Sequence, residues 1–372
     1  MAKFLDLNPE VFAIDINDLS LRMVKLRKSG ASFKVSSYSD LKIRPGIIKD
    51  GVIQEQEELI KIIRLACSSV HGKRLGTKYV IVSLPEEKSF SQIIQIAKMT
   101  PEELKTAVPY EAENYIPLPI DKVYLDYQVI GEHRNDPSKL DLLVNVIPKP
   151  IIDAYVDTIK KANLIPCILE VESQAIVRAL MKMGENHPST IFIDFGETKT
   201  SFIIVAGNSI RFTSSIPVSS QQLTQAIAEN LGLFFEKAEE LKTTYGLKVQ
   251  PEENYDIRKI MEPILNELIL QVKRYIAFYQ GHAGRDYSSA EGGAIEKIVL
   301  CGGGANLKGL PEFLFAGLQI RVEIGDPLVN LSVSKNVRWR LIPQQKVLSF
   351  STAIGLALRA ADYKNSEDGR IL

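Results

Sequence analysis

A chain of 372 residues exceeds what one hydrophobic core usually organises, so two or more domains are expected. Its 45 Lys+Arg balance its 45 Asp+Glu, which argues against the basic footprint of a nucleic-acid binder, and 45% hydrophobic with 24% charged residues is ordinary for a globular protein. No apolar run approaches the roughly 18 residues that span a bilayer, residues 1–9 lack the continuous apolar core of a signal peptide, and Cys67, Cys167 and Cys301 have no metal-ligand spacing. A cytoplasmic protein with small, buried thiols is expected.

The first apolar run, Val11–Ile14, ends at Asp15, and turn residues Asn17-Asp18 lead into a second run, Leu21–Leu26. Arg27-Lys28-Ser29-Gly30 turns the chain again, and Phe33–Tyr38 alternates as a third strand, so three antiparallel strands joined by tight turns are predicted. Leu59, Ile62, Ile63, Ala66 and Val70 recur at helical spacing within Glu55–Val70. Tyr79–Val82 is a buried strand that stops at Pro85.

Residues 89–166 read as an inserted module: strand Phe90–Ile96, helix Pro101–Tyr115, strands Val123–Ile130 and Leu140–Val146, helix Pro150–Ala162. Thr100-Pro101-Glu102-Glu103 is a helix start, with an N-capping hydroxyl, proline in the first turn and acidic residues at the positive end of the dipole. Ile116-Pro117-Leu118-Pro119 ends that helix, because the residue before proline is pushed out of the helical region. Ile168–Met181 then reads as strand into helix.

The opening order recurs in the second half. Thr190–Ile193 ends at Asp194, Phe195-Gly196-Glu197-Thr198 turns the chain, Ser201–Val205 returns, and Ile210–Ile216 follows as a third strand. A helix with Leu223, Ile227, Ala228 and Leu231 apolar comes next. A long helix, Glu262–Gln280, precedes a loose Gly- and Ser-rich stretch, Gly284–Gly293. Ile298–Leu300 is a buried strand that meets Gly302-Gly303-Gly304 and then a helical pattern at Leu310, Phe313 and Leu314. Strand, glycine turn and helix form an arrangement that lets backbone N–H groups and a helix dipole face an anion. The tail, residues 362–372, is polar and expected to fray.

Asp15 and Asp194 hold matched places, each at the end of a buried strand before a tight turn. Each can orient Mg²⁺ through water, since that ion favours oxygen ligands and keeps much of its hydration shell. The hydroxyls of Ser20, Thr198 and Thr200, with the turn N–H groups, can receive phosphates. Either aspartate alone would be an ordinary hairpin end; two at matched positions together with the glycine loop point to a nucleotide cleft.

The two strand–Asp–turn–strand hairpins, the insert and Gly302-Gly-Gly-Ala-Asn-Leu-Lys-Gly-Leu310 resemble the actin-like ATPase superfamily. Tyr110–Pro117, Lys237–Lys242, Val272–Tyr275 through Tyr279, and Ala353–Arg359 resemble, within it, the PilM family of type IV pilus assembly, a relative of the FtsA division proteins. The resemblance implies an α/β actin-like ATPase fold with two duplicated lobes around a nucleotide cleft and an inserted α+β module in the first lobe. Residues 1–88 and 167–188 would form the first lobe, 89–166 the module and 189–361 the second lobe.

The resemblance further implies ATP and Mg²⁺ as ligands. It places a first phosphate loop at Asp15–Arg22, including Asn17, Ser20 and Arg22, and a second at Asp194–Thr200, including Gly196, Thr198 and Thr200. The adenosine loop would be Gly302–Asn306, with Gly302, Gly303, Gly304 and Asn306, and Lys273 and Arg274 would lie near the purine. Glu170 or Glu172 would orient attacking water. Where the family usually has Gly, Gly-Gly and Lys, this chain has Asn17, Ser219-Ser220 and Arg22, so weak or absent hydrolysis is expected. The implied partner is the N-terminal cytoplasmic tail of a PilN-like inner-membrane protein, received in a groove between the module and the first lobe, with Tyr115 and Ile116 as contacts. Localisation would be peripheral to the inner membrane through that partner, with no direct membrane insertion. A polymerising FtsA-like protein would end in a basic amphipathic helix, which residues 360–372 do not supply, and a sugar kinase would need a polyol pocket that no stretch provides.

Overall fold

The computed structural model describes residues 10–30, 32–133, 135–248, 256–286, 294–332 and 341–362. The first hairpins form as expected, with β1 (Val11–Ile16), β2 (Ser20–Ser29) and β3 (Ser32–Lys42) antiparallel. A two-strand ribbon follows, β4 (Ile48–Lys49) and β5 (Val52–Ile53), then helix α1 (Gln56–Ser68), the edge strand β6 (His71–Gly72) and β7 (Tyr79–Leu84). Leu59, Ile60, Ile63 and Ala66 form the buried stripe of α1, the spacing of one helix face.

The insert contains β8 (Phe90–Ala97), α2 (Pro101–Ala112), β9 (Val123–His133) and β10 (Asp136–Pro148) in a three-stranded sheet ordered β8-β10-β9. Thr100 caps α2 reciprocally with Glu103, a device worth about 1 kcal/mol. Leu140, Leu142, Val144 and Val146 alternate toward α2, whose Leu104, Val108 and Ala112 complete that core.

Helix α3 (Lys149–Lys161) was expected inside the insert. It packs instead on α1, and its Tyr155 and Ile159 belong to the core beneath the first sheet. The insert therefore ends near Pro148, because the apolar face of α3 finds its complement on the first lobe. Then β11 (Ile165–Val171) joins β7 in parallel and runs straight into α4 (Glu172–Leu180).

The second lobe repeats the plan. β12 (Thr190–Phe195), β13 (Thr200–Ala206) and β14 (Ser209–Ile216) are antiparallel, followed by α5 (Ser220–Leu231), α6 (Phe235–Tyr245) and α7 (Ile257–Asp286). Helix α7 continues beyond Gln280, so the first part of the predicted loose stretch is helical, while residues 287–293 and the tail beyond residue 362 lie outside the described residues. β15 (Lys297–Cys301), α8 (Leu310–Leu318) and β16 (Arg321–Ile324) close the sheet. Its order, β14-β13-β12-β15-β16, matches β3-β2-β1-β7-β11 of the first sheet position for position. The repeat read from the sequence is thus a duplicated topology.

The last described helix, α9 (Ser351–Asp362), was assigned by sequence to the second lobe. It lies on the first sheet, where Ala353, Ile354 and Ala357 join a core with Ala13, Val24 and Ile81. There it crosses α4 so closely that a Cβ on Gly355 would fall 1.8 Å from the Ala175 carbonyl oxygen. The first sheet is therefore sandwiched between α1 and α3 on one face and α4 and α9 on the other. Helix α4 also reaches the second sheet, placing Ile176 against Phe192, Ile203 and Val299.

Candidate nucleotide cleft

The two hairpin turns face one another between the lobes across a cavity of about 290 Å³. Asp15 and Asp194 end the central strands of their sheets, where the turn frees the carboxylate from the ladder. Asp15 pairs in register with Arg22, and Asp194 with Ser201 and Cys301. Both aspartates line the cavity, as do Asn17, Ser20, Arg22, Gly196, Thr198 and Gly302 to Gly304.

Asp15 is 1% exposed, and burial pushes its carboxyl above the usual carboxylate range against the pull of Arg22. Its Oδ2 accepts a hydrogen bond from Asn17 Nδ2 at 3.1 Å, while Oδ1 is buried and accepts none among the described residues. A buried carboxylate oxygen left without a donor, in a polar cavity, is the kind of group a hydrated cation satisfies. Burial, with the charge of Asp15 adding to it, pushes Asp194 up to about 6.

Gly302 has φ +80°, and a Cβ there would fall 2.2 Å from Asp194 Oδ1; one on Gly304 would fall 2.6 Å from Phe195 Cδ1. The two glycines are thus required by the β12–β13 hairpin that presses on them, while Gly303 is exposed to the cavity. Asn17 does not have a positive φ, so its turn places no conformational demand for glycine, and its side chain spends its donor on Asp15. Ser219 caps α5 reciprocally with Gln222, so the serine pair keeps a well-formed helix start at the cavity wall.

Six sequence-predicted residues lie elsewhere. The Thr200 hydroxyl is buried and donates to the Val218 carbonyl at 2.6 Å, because its strand position points it into the lobe. Asn306 is exposed and folds back onto the Gly303 carbonyl. Lys273 and Arg274 are exposed on α7, outside the cavity lining, because Val272 takes the buried stripe. Glu170 is buried outside the cavity lining, bound by Arg178 at 2.7 Å and Arg359 at 2.5 Å, where it ties β11 to α4 and α9. Ile116 is 8% exposed within the core of the insert, whereas Tyr115 is 45% exposed.

Of the two candidate glutamates, only Glu172 bears on the site. It starts α4, its Oε2 lies 3.0 Å from Lys199 Nζ, and burial raises its carboxyl well above the ordinary range. Lys199 itself lines the cavity and also binds Glu87. Sequence reasoning passed over Lys199, and it passed over Phe235, Glu239 and Lys242, which face the cavity from α6. Those three stand at i, i+4 and i+7, one face of a helix, a signal that was present in the sequence. Lys242 Nζ is anchored by the Ser220 hydroxyl at 2.8 Å and the Thr224 hydroxyl at 2.7 Å.

Among the described residues no helix is long and apolar enough to cross a membrane. The structure is similar to that of a PilM–PilN type IV pilus biogenesis complex, with a TM-score of 0.78 and 25% identity over 95% of this chain and 99% of that one. It is also similar to MreB5 of Spiroplasma citri bound to ADP, with a TM-score of 0.57 and 12% identity over 96% of this chain and 98% of that one, a likeness of fold. FtsA of Helicobacter pylori is 26% identical over 216 residues, which are 53% of this chain but only 42% of that protein's own length. These neighbours share the actin-like ATPase fold. The sequence profile described as type IV pilus assembly protein PilM matches residues 13–361, essentially every element of both lobes and the insert, and the chain belongs to that family.

Proposed function

We propose that this protein is a cytoplasmic, ATP- and Mg²⁺-binding scaffold of type IV pilus assembly that binds the N-terminal tail of a PilN-like inner-membrane protein. The observation that carries the nucleotide reading is the pair of matched hairpin aspartates lining one cavity, with the buried Asp15 Oδ1 lacking a donor among the described residues. Asp15 and Asp194 would hold Mg²⁺ through its waters, the turns at Asn17–Ser20 and Gly196–Thr198 would receive phosphates, and Gly302–Gly304 with α6 would receive the nucleoside. The ion would neutralise phosphate charge. The ADP bound by MreB5, a protein of the same fold, supports this assignment.

The likeness to a PilM in complex with PilN, over nearly the whole chain, supports the partner assignment. On the insert, Tyr110 and Tyr115 present 78% and 45% of their surfaces, aromatic anchors suited to a short peptide. Slow turnover is supported by the lining of the cavity, which includes neither Glu170 nor Glu172.

Calorimetric titration tests both parts. Mg-ATP should bind the wild type and fail to bind Asp194→Ala in a magnesium-dependent manner; unchanged affinity would sink the site. Peptides from the cytoplasmic N-termini of PilN-like proteins should bind saturably, and no heat from any of them would remove the scaffold role.

A further inference from the structure

Lys199 closes the β12–β13 turn with its backbone fixed. The Gly196 N–H donates to the Lys199 carbonyl at 2.9 Å, and a Cβ on Gly196 would fall 2.7 Å from that oxygen. The side chain leaves its own lobe. Its ammonium binds Glu87 and lies 3.0 Å from Glu172 Oε2, and both glutamates belong to the first lobe. The side chains of Lys199, Glu87 and Glu172 are only 17%, 19% and 3% exposed, so solvent screens this bridge far less than a surface pair.

Arg22 and Lys242, two further cations that line the cavity, are engaged within their own lobes. Arg22 lies 3.4 Å from Asp40 and sits 5.9 Å from the centre of the Phe350 ring, and Lys242 is anchored on Ser220 and Thr224. Lys199 alone among these three is shared across the cleft, and it does so beside the two aspartates. Its partner Glu87 is carried by the short turn Glu86–Lys88, which leads directly into β8, the first strand of the insert. The first phosphate loop reaches the same turn. Asp18 accepts the N–H groups of Asp50 and Gly51 at 2.8 and 3.0 Å, and a Cβ on Gly51 would meet Pro85 at 2.5 Å and Glu87 Oε1 at 3.0 Å.

We propose that Lys199 is a terminal-phosphate ligand of this cleft, held in reserve by Glu87 and Glu172 until a nucleoside triphosphate competes for its ammonium. The inference rests on the nucleotide reading above. A phosphate that draws Lys199 away leaves Glu87 without its cation, and the Glu86–Lys88 turn transmits that loss to β8. Nucleotide occupancy is thereby reported to the insert through one side chain.

The test uses the full chain and two variants, Glu87→Gln and Lys199→Met, with a non-hydrolysable Mg-ATP analogue as probe. Removing a competitor for the lysine should tighten binding about fivefold in Glu87→Gln, while loss of the lysine should weaken binding about tenfold or more in Lys199→Met. Hydrogen exchange over residues 86–97 should rise on nucleotide addition in the wild type, be raised already in unliganded Glu87→Gln, and stay unresponsive in Lys199→Met. A merely structural bridge would make both variants weaken binding together. Weaker binding by Glu87→Gln, or unchanged binding by Lys199→Met, overturns the proposal. If the wild type binds no nucleotide, the cleft assignment itself fails; equal exchange over 86–97 in all three unliganded proteins then overturns the bridge as well.

Discussion

Gly302 and Asp194 are in such close contact that a single methyl on the glycine would occupy the space of the carboxylate, 2.2 Å from Oδ1. The loop after β15 therefore sets the position of the aspartate on the neighbouring strand. Gly302→Ala must move one or the other, and it adds a side chain at φ +80°. We expect loss of Mg-ATP binding together with about 2–3 kcal/mol of lost stability, measured by calorimetry and urea unfolding. Gly303→Ala, whose Cβ would meet nothing closer than 3.8 Å, is the control and should retain the wild-type stability.

The raised carboxyl of Asp194 has a definite pH signature. Its proton is held to about 6 in the folded chain against an ordinary value of 3.8, so between those values the folded state carries more protons than the unfolded one. Stability contributed by this group is therefore present at low pH and is lost as pH rises through about 6. Asp194→Asn cannot titrate. The stability of the wild type relative to this variant should fall by about 2 kcal/mol between pH 4 and pH 7. A flat difference in urea midpoints would refute the assignment.

Asn17→Gly removes the donor that engages Asp15 Oδ2 and frees a second oxygen for a hydrated ion. Tighter Mg-dependent nucleotide binding is expected, at a stability cost of about 0.5–1 kcal/mol from the added chain entropy of glycine. Weaker binding would show that the asparagine aids the site.

Gly355→Ala probes the crossing of α4 and α9. Its Cβ would collide with the Ala175 carbonyl at 1.8 Å, and the Gly355 carbonyl itself accepts a hydrogen bond from Arg178. The helices must separate, breaking the buried Glu170 cluster, and a loss of about 3 kcal/mol or more is expected in chemical unfolding. Wild-type stability would mean that the crossing is looser than described.

What was legible in the sequence was local. The alternation in Phe33–Tyr38, the helix start at Thr100 and the strand–Asp–turn pattern at Asp15 and Asp194 each depend on neighbours in the chain, and each forms as expected. What was missed depends on partners far apart in sequence. Glu170 and Glu172 differ by two positions on the exit from one strand, yet one meets Arg178 and Arg359 while the other meets Lys199. A helix over Pro150–Ala162 was legible and Ala353–Arg359 stood out as a family-like stretch, but not which sheet either would pack on. Lys273 and Arg274 sat on a convincing amphipathic helix whose turn about its axis only the packing of Val272 decides.

The placement of α9 bears on the order in which the chain can be completed. β1 and β2 are made before the second lobe, yet the part of their sheet face at Ala13 and Val24, beside α4, waits for residues 351–362 to complete its cover. During synthesis the second lobe can close on its own strands while the first waits, its apolar face open to chaperones or to misassembly. Of the two lobes, the one made first is completed after the other.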